Sequence, residues 1–386
     1  MPYEILVVDD EPDLEFVVRQ KFRGPIRRQE MTFVFARSGL EALEKLRASP
    51  AVDLVVTDIN MPGMDGLALL ARLRELDPPP RAIVVSAYGD LRNIRAAMNR
   101  GACDFLTKPV DLSDLDATVR KTLAEVHASQ EAMAAREELV GLRRDLELAQ
   151  RIQRALLPRP HPTETSRGPV EVCGEMLPAR VLGGDFYDHF DAGDARLGFL
   201  IADVSGKGVP AALYMAMSSA LLRSAAHQAA SPAECFQKVN DILSTQGFDS
   251  MFVSAFYGVL HLPSGELEYV NAGHLPPFLL HSTGRVEALE LPPGPVLGLF
   301  EGCSFESRRT LLLAGDLVCL YTDGVTEAEQ ASNEQYSAAR VAAFLERNAT
   351  ASLNEIVRGL CSEVLDFSSG VDQTDDITVL CVRRTA

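Results

Sequence analysis

The chain has 386 residues, 47% of them apolar, and this size and composition are typical of two or three domains with cores of their own. Its formal net charge of -17 disfavours a nucleic-acid partner, because affinity for a phosphate backbone comes largely from Lys and Arg side chains. No apolar run approaches a membrane span and the N-terminus is not of the signal-peptide type, so we expect a soluble, cytoplasmic protein without a membrane partner.

The N-terminal part of the chain alternates strand-like apolar runs with helical segments that each have a polar face. Five such repeats predict an α/β domain, in which a parallel, doubly wound sheet is covered by helices on both sides. The predicted strands are Ile5–Val8, Met31–Phe35, Leu54–Val56, Ile83–Val85 and Asp104–Thr107.

Polar residues follow four of these strands, at the edge of the sheet where ligands bind in such domains. They are Asp9, Asp10, Asp58, Ser86 and Lys108. A single acidic pair is usually solvated surface, but five polar residues at strand ends favour a functional site. Three converging carboxylates repel one another unless a hard divalent cation lies among them. A lysine and a hydroxyl nearby are suited to hold the oxygens of a phosphoryl group.

These residues lie in motifs that resemble those of two-component receiver domains. The motifs are Leu6-Val7-Val8-Asp9-Asp10-Glu11, Asp58 with Met61-Pro62-Gly63-Met64-Asp65-Gly66, Ser86-Ala87, and Phe105-Leu106-Thr107-Lys108-Pro109. The resemblance covers residues 1–121 and implies a receiver domain that a sensor histidine kinase phosphorylates.

The same resemblance implies roles for individual residues. Asp58 is the expected phosphoacceptor, and the peptide before Pro109 is expected to be cis. The implied Mg²⁺ ligands are the carboxylates of Asp9, Asp10 and Asp58 and the backbone carbonyl of Asn60. The residues implied to contact the phosphoryl group or to report the switch are Ser86, Lys108 and Phe105.

A long helix is predicted from Leu112 to Leu157, a stretch with one glycine, Gly141. Its apolar residues recur at three-four spacing, with a shift of one position before Leu139: they are Leu112, Leu115, Val119, Val126 and Met133, then Leu139, Leu142, Leu146, Ala149 and Leu156. A seam this narrow suits a partner helix, so we expect residues 122–157 to form a coiled-coil linker that joins two copies of the chain. The alternative is a spacer helix that packs on its own domains. The Pro-rich run Pro158–Pro169 marks the start of a C-terminal domain, residues 158–386.

Beyond Gly168, strand-like runs outnumber helices, and turn signals between them predict antiparallel pairing. The strands are Val170–Met176, Asp185–Phe190, Leu197–Ala202, Phe252–Leu262, Leu267–Val270, Phe278–His281, Leu317–Tyr321 and Ile377–Val382. The helices fall in two groups, Pro210–Ala229 with Pro232–Leu243 and Ser337–Arg347 with Leu353–Leu365. This order predicts an α+β antiparallel sandwich flanked by helices. The seven cysteines of the whole chain lack CxxC spacing, and we expect buried free thiols.

Acidic residues, most of them beside glycine, lie at the ends of the C-terminal strands. They are Asp185 after Gly183-Gly184, Asp203 before Val204-Ser205-Gly206-Lys207-Gly208, Asp323 before Gly324, and the pair Asp375-Asp376. Each acid alone is explained as a turn or cap residue. Together, and without a histidine pair at metal-ligand spacing, they predict an all-carboxylate site for Mg²⁺ or Mn²⁺. Two such ions activate a bridging water for in-line attack on phosphorus.

The motifs around these acids resemble those of the metal-dependent PPM phosphatases of the SpoIIE type. They are Leu182-Gly183-Gly184-Asp185-Phe186-Tyr187-Asp188, Ile201-Ala202-Asp203-Val204-Ser205-Gly206-Lys207-Gly208, Asn271-Ala272-Gly273-His274, Tyr321-Thr322-Asp323-Gly324-Val325-Thr326-Glu327-Ala328 and Asp375-Asp376-Ile377-Thr378. The end of the linker, Ala149-Gln150-Arg151-Ile152-Gln153-Arg154-Ala155-Leu156-Leu157-Pro158, is also typical of that family, so the resemblance covers the chain from Leu146 onward.

This resemblance implies two Mn²⁺ or Mg²⁺ ions in the C-terminal domain. Asp203 is expected to bridge both ions with the help of the Val204 carbonyl, and Asp185 to bind directly or through water. Asp323 and Asp375 are expected to complete the second metal site.

Four further residues lie near these acids, and three of them, Arg180, Lys207 and His274, have two interpretations each. Asp376 is expected to act outside the metal ligands, and Arg180 either meets the substrate phosphate or is a surface cation. Lys207 either helps to hold an anion at a helix N-terminus or lies in a solvated turn. His274 is expected to fix a loop rather than to donate a proton.

The leading interpretation is a response regulator in which Asp58 phosphorylation controls dephosphorylation of phosphoserine or phosphothreonine on a protein. The family resemblance implies a STAS-type anti-sigma-factor antagonist in a partner-switching pathway as the substrate. A phosphorylation-gated binding protein without turnover is one alternative. A nucleotide cyclase is another, because Gly183-Gly184-Asp185 resembles part of a GGDEF loop, although Phe186-Tyr187 replaces Glu-Phe. A DNA-binding output domain is disfavoured, since the sequence shows no basic recognition helix.

Overall fold

The computed structural model describes residues 2–49, 51–87, 90–158, 170–245 and 251–385. The chain divides into two compact units, residues 1–141 and 142–386. In the described part of the chain, no helix is both long and apolar enough to cross a membrane. Most of the Pro-rich run after Pro158, a predicted domain boundary, lies outside the described residues.

The first unit contains a five-stranded parallel sheet with the order β2-β1-β3-β4-β5. Its strands are β1 (Tyr3–Val8), β2 (Met31–Ala36), β3 (Leu54–Asp58), β4 (Arg81–Ala87) and β5 (Asp104–Lys108). Its helices are α1 (Asp13–Lys21), α2 (Arg23–Arg27), α3 (Gly39–Ala48), α4 (Gly66–Leu73) and α5 (Leu91–Asn99), followed by the start of α6 (Leu112–Leu156). Apolar cores lie on both faces of the sheet, which confirms the predicted doubly wound architecture.

Helix α6 is continuous over 45 residues, as predicted. The apolar residues that were predicted to face a partner helix differ in burial along α6, however. Leu115, Val119 and Leu123 belong to a core of the first unit, so the first turns of the helix pack on their own sheet. Further along, the apolar side chains are exposed in the chain: they are Met133, Leu139, Val140, Leu142, Leu148, Ile152 and Leu156.

The second unit is built on two five-stranded sheets, with the orders β13-β10-β9-β8-β7 and β12-β11-β14-β15-β6 and antiparallel pairing between the named strands. The strands are β6 (Val170–Leu177), β7 (Phe186–Asp191), β8 (Arg196–Val204), β9 (Val253–His261), β10 (Glu266–Ala272), β11 (Phe278–Leu280), β12 (Val286–Ala288), β13 (Ser307–Leu311), β14 (Leu317–Tyr321) and β15 (Ile377–Arg384). The helices are α7 (Val209–Ala226), α8 (Pro232–Thr245), α9 (Asp323–Thr326), α10 (Ser337–Arg347) and α11 (Leu353–Phe367).

Three apolar cores hold this unit together. Side chains from both sheets, such as Phe199 of β8 and Leu380 of β15, form the central core. A second core joins the β7–β10 strands to α7 and α8, and a third joins the β14–β15 strands to α10 and α11. The predicted sandwich flanked by helices is therefore confirmed. The sequence pattern missed β12 and β13, which are edge strands of three and five residues with partly exposed side chains.

Candidate metal sites in the receiver and phosphatase units

The first candidate site lies at the carboxyl ends of β1 and β3. Asp9, Asp10 and Asp58 each place a carboxylate oxygen within 4.8 Å of the others. Burial raises the pKa of the Asp9 carboxyl, although the Glu11 amide and the Lys108 charge partly offset this effect. The loop after Asp58 is shaped locally, because the amide of Asn60 donates to the Asp58 side chain at 3.2 Å. The three predicted metal-binding carboxylates are thus neighbours.

A lysine lies at the same site, and a buried hydroxyl lies on the neighbouring strand β4. The Lys108 ammonium lies 2.7 Å from Asp58 and 3.2 Å from Asp9. Burial disfavours this charge, but hydrogen bonds to Asp58 and Glu11 outweigh burial and raise the pKa of the lysine. Ser86 is fully buried, and its hydroxyl has no hydrogen-bond partner in the described part of the chain. A buried hydroxyl without a partner is unfavourable.

The other two receiver expectations concern Phe105 and Pro109. Phe105 lies on β5 and is 40% exposed, so its ring is not fixed in the core. The Lys108–Pro109 peptide bond is cis, as the resemblance implied.

The second candidate site gathers acids from four separate segments of the C-terminal unit. Asp185 immediately precedes β7, Asp203 lies near the end of β8, Asp323 begins α9, and Asp375 lies just before β15. Electrostatic interactions join Asp203 to each of the other three, and a side-chain hydrogen bond joins it to Asp185. Asp203 therefore lies near each of the other three predicted acids, although no three of the four in the described chain have oxygens all within 4.8 Å.

Their crowding changes their protonation. Burial, and then the charges of Asp323 and Asp375, raise the pKa of the Asp203 carboxyl to about 7. Burial likewise raises the pKa of Asp185 well above its usual range, and the neighbouring Asp203 charge adds to this effect. Burial and the Asp375 charge raise the pKa of Asp323. Such a group of carboxyls is stable at neutral pH only with protons or cations among them.

Two threonines hold the most buried of these acids. Asp185 is 2% exposed, and one of its oxygens accepts hydrogen bonds from Thr322 at 2.7 Å and Thr378 at 2.6 Å. These threonines lie beside the ends of two neighbouring strands, β14 and β15. The two threonines thereby fix the carboxyl group of Asp185, which also interacts with the Asp203 side chain.

Asp376 holds the turn that carries Asp185. Its carboxylate accepts hydrogen bonds from the amides of Ala179 at 2.8 Å and Gly184 at 2.6 Å. The turn lies so close that a β-carbon at Gly183 would be 2.5 Å from the Asp376 carboxylate. Gly183 is therefore required by close approach, and Asp376 is a positioning residue.

The linker helix also reaches this turn. Gln153 of α6 is buried, and its side-chain amide donates to the Gly183 carbonyl at 2.6 Å. Its side-chain oxygen accepts from the Gly183 amide at 3.2 Å. The final turns of α6 are thus fixed to the segment that presents Asp185.

Three residues with open interpretations now have defined surroundings. Lys207 pairs with Asp375 at 3.0 Å and donates to the Thr374 carbonyl. His274 is buried with Nδ1 3.0 Å from the Ser254 hydroxyl, and burial lowers its pKa to about 4, which suits a loop-fixing group. Arg180 is exposed.

Sequence reasoning missed three of these contributors, Gln153, Thr322 and Thr378. All three lie inside the motifs that carried the resemblance, and the threonines interrupt or follow apolar strand residues. For the two threonines, a polar residue within or directly after an apolar strand run was the available signal. Their partners lie 30 to 193 residues away in the chain, so no local spacing identified them.

The ligand chemistry of both sites fits divalent cations that prefer oxygen. Both sites offer carboxylates, and neither includes a histidine or cysteine among the predicted ligands. Mg²⁺ and Mn²⁺ favour this donor set over the nitrogen and sulfur ligands typical of zinc. The antiparallel sandwich around Gly183-Gly184-Asp185 gives no support to the nucleotide-cyclase alternative.

Fold and site together define a receiver domain followed by a PP2C-type phosphatase domain. Comparison with family sequence models agrees: the response regulator receiver domain matches residues 5–120. The Stage II sporulation protein E (SpoIIE) model matches residues 193–385, half of the chain. The chain therefore belongs to the SpoIIE family of protein serine/threonine phosphatases and carries an N-terminal receiver domain.

Two similar proteins each align with more than half of this chain. Protein IcfG of Synechocystis sp. is 31% identical over 280 residues, which are 65% of this chain but only 43% of IcfG. Phosphoserine phosphatase RsbU of Bacillus subtilis is 26% identical over 270 residues, 70% of this chain and 79% of RsbU. The chain thus spans less than half the length of IcfG.

Solved structures show the same phosphatase fold. The RsbU and RsbW domains of Rv1364c from Mycobacterium tuberculosis share 28% identity with a TM-score of 0.51, over 56% of this chain and 60% of that one. The SiaA-PP2C domain of Pseudomonas aeruginosa shares 22% identity with a TM-score of 0.57, over 65% of this chain and 99% of that one. The similarity to the SiaA-PP2C domain, at 22% identity, concerns the fold alone.

Proposed function

We propose that this chain is a cytoplasmic response regulator whose phosphorylation at Asp58 controls metal-dependent removal of phosphate from phosphoserine or phosphothreonine on a protein. The convergence of Asp185, Asp323 and Asp375 on Asp203 carries this proposal. These acids come from separate segments, and their mutual repulsion has no structural benefit. It is explained by a role that requires cations.

In the receiver domain, a sensor histidine kinase is the phosphodonor and Asp58 the acceptor. Mg²⁺ would be held by Asp9, Asp10 and Asp58 and by the Asn60 carbonyl. The buried Ser86 hydroxyl and the Lys108 ammonium would then contact the phosphoryl oxygens. The Phe105 ring on β5 would change position when Asp58 is phosphorylated and so report the switch. The unpartnered Ser86 hydroxyl, in the part of the chain that the structure describes, supports this assignment.

In the phosphatase domain, two Mn²⁺ or Mg²⁺ ions would be held by Asp185, Asp203, Asp323 and Asp375 and by the Val204 carbonyl. When bound, such ions lower the pKa of a shared water from 15.7 to about 7 and make hydroxide available for in-line attack on phosphorus. The chain's own residues position the ligands: Thr322 and Thr378 orient Asp185, and Asp376 holds the turn that presents it.

The substrate is a phosphorylated protein, and we propose a STAS-type anti-sigma-factor antagonist. RsbU, a similar protein over most of its length, is named a phosphoserine phosphatase, which supports the reaction class. The phosphatase domain has no basic recognition element in the sequence, and the net charge of -17 agrees with a protein rather than a nucleic-acid substrate.

Signal transfer is proposed to run through α6. The helix packs on the receiver sheet at Leu115 and Val119 and is hydrogen-bonded to Gly183 through Gln153. A parallel homodimer would cover its exposed apolar residues, and phosphorylation would change the pairing or rotation of the helix. We propose that phosphorylation activates the phosphatase.

The test is an Asp323→Asn variant, which removes one charge from the acid site. We expect it to fold and to lose metal-dependent phosphate release, because a neutral amide is a poor ligand for these cations. Asp366→Asn on the exposed surface of α11 is the matched control.

A phosphoproteome comparison of cells with each variant would identify the substrate. Unchanged release by Asp323→Asn removes the assignment, and a wild-type protein that binds the phosphoprotein without turnover favours the binding-protein alternative.

A further inference from the structure

The loop between β8 and α7 places a cation against the acid site. Asp203 lies near the end of β8, and Lys207 follows it between Gly206 and Gly208. Both glycines have positive φ angles, 92° and 78°, and a β-carbon on either would meet no atom within 4 Å. The glycines are therefore required by backbone conformation rather than by packing, and they turn the loop so that Lys207 reaches the segment before β15.

Lys207 forms a salt bridge with the Asp375 carboxylate. Its ammonium lies 3.0 Å from Asp375 Oδ2 and 2.5 Å from the Thr374 carbonyl oxygen. The other oxygen, Asp375 Oδ1, accepts the amide of Asp376 at 2.9 Å. Both oxygens of this acid are thus engaged. In the described part of the chain, Asp375 is the one among the four acids that forms a salt bridge.

We propose that Lys207 is a resident counter-ion that competes with a divalent cation for the Asp375 carboxylate, and that it thereby weakens the second metal site. This inference rests on the proposed metal-dependent function. An ammonium and a dication repel each other and compete for the same carboxylate oxygen. The pair is about 40% exposed, so the competition is modest and the lysine can move into solvent.

The role differs from both sequence interpretations of Lys207. Removal of a lysine that lay in a solvated turn away from Asp375 would leave metal affinity unchanged. A lysine that merely supported the loop would weaken metal binding when removed. Competition between the lysine and a cation for Asp375 predicts tighter metal binding when the lysine is removed.

The experiment measures Mn²⁺ binding by electron paramagnetic resonance of free Mn²⁺, with full-length protein. Asp9→Asn and Asp10→Asn are included in every sample to remove the receiver site. Lys207→Met is compared with Lys207→Arg, which keeps the charge, and with Lys238→Met, which removes a lysine paired with Glu234 on α8. Melting curves in a chelator establish that each variant is folded.

We expect Lys207→Met to bind its weaker Mn²⁺ about threefold more tightly, a size typical of one partly exposed ion pair. Lys207→Arg and Lys238→Met should match the parent protein. Equal or weaker Mn²⁺ binding by Lys207→Met overturns the inference while leaving the proposed function intact. A parent protein that binds no Mn²⁺ at all overturns both.

Discussion

At the scale of single residues, the acid site combines groups that repel one another with groups that fix them in place. Thr322 and Thr378 each donate a hydrogen bond to Asp185, and Asp376 accepts from the Gly184 amide. Hydrogen bonds to a charged group contribute about 1.5–3 kcal/mol each. These contacts orient Asp185, but they do not remove the repulsion around Asp203, whose pKa remains raised.

The raised pKa of Asp203 predicts how stability depends on pH. The folded carboxyl titrates at about 7 rather than near 3.8, so the folded protein binds this proton more tightly than the unfolded chain does. The resulting stabilisation is present at low pH and is lost as the pH rises from about 4 through about 7. In calorimetry of the metal-free full chain, we expect the melting temperature of the phosphatase domain to be higher at about pH 5.5 than at about pH 8.

Two comparisons check this pH effect. Mn²⁺ added at the higher pH should recover the lost stability, because a cation replaces the proton among the carboxylates. Asp203→Asn should show a weaker dependence on pH than the parent protein. An identical dependence in both proteins would mean that Asp203 is not the group responsible.

At the scale of elements, α6 has residues in both compact units of the chain. Its first turns belong to the receiver core, and its last turns hold Gly183 through Gln153. Between them, a β-carbon at Gly141 would meet no atom of a neighbouring element within 4 Å, so packing does not require a glycine there. A glycine within a helix costs about 1 kcal/mol relative to alanine, which makes this a weak point of the helix.

Replacing Gln153 with leucine tests the contact between α6 and the acid turn. Leucine fills the space but leaves the Gly183 amide and carbonyl without partners, which weakens this docking by about 1–3 kcal/mol. We expect the protein to fold and the effect of Asp58 phosphorylation on phosphate release to be reduced. Gln150→Leu, one turn earlier on the helix, is the control. A full phosphorylation response in Gln153→Leu would exclude this contact from signal transfer.

The elements also show what a sequence can predict. Strands with apolar runs and the acids at their ends were predictable, because strand direction alone brings Asp9 and Asp58 to one edge. The short edge strand β12 was not, since three partly exposed residues carry no pattern. Nor was the role of Gln153, because a side-chain contact to Gly183 depends on tertiary packing. The start of the predicted coiled-coil linker, residues 122–157, was assigned to a partner helix, whereas Leu123 packs on the receiver sheet.

At the scale of the whole molecule, the exposed apolar residues of α6 need an explanation. Met133 is 66% exposed, Leu139 66% and Leu142 57% in the single chain. Burial of a leucine is worth about 1.5–3 kcal/mol, so several such residues supply a substantial driving force for helix pairing. This is the basis of the proposed homodimer.

The dimer is tested by replacing Leu139 and Leu142 together with glutamate. We expect the variant to sediment as a monomer in analytical ultracentrifugation, because two charges would have to be buried against the partner helix. Arg144→Glu, at an exposed position on the opposite face of the same helix, is the control and should self-associate like the parent. Dimerisation of the double variant would show that another surface joins the copies.

The central claim is that one chain couples a phosphorylated receiver to a metal-dependent phosphatase. It is tested most directly by the rate of phosphate release from a phosphothreonine peptide by the full chain with Mn²⁺, before and after Asp58 phosphorylation by acetyl phosphate. We predict release that requires Mn²⁺ and rises on phosphorylation, and no rise in Asp58→Asn. Absence of release at any Mn²⁺ concentration, or an identical rate with and without phosphorylation, would contradict the account.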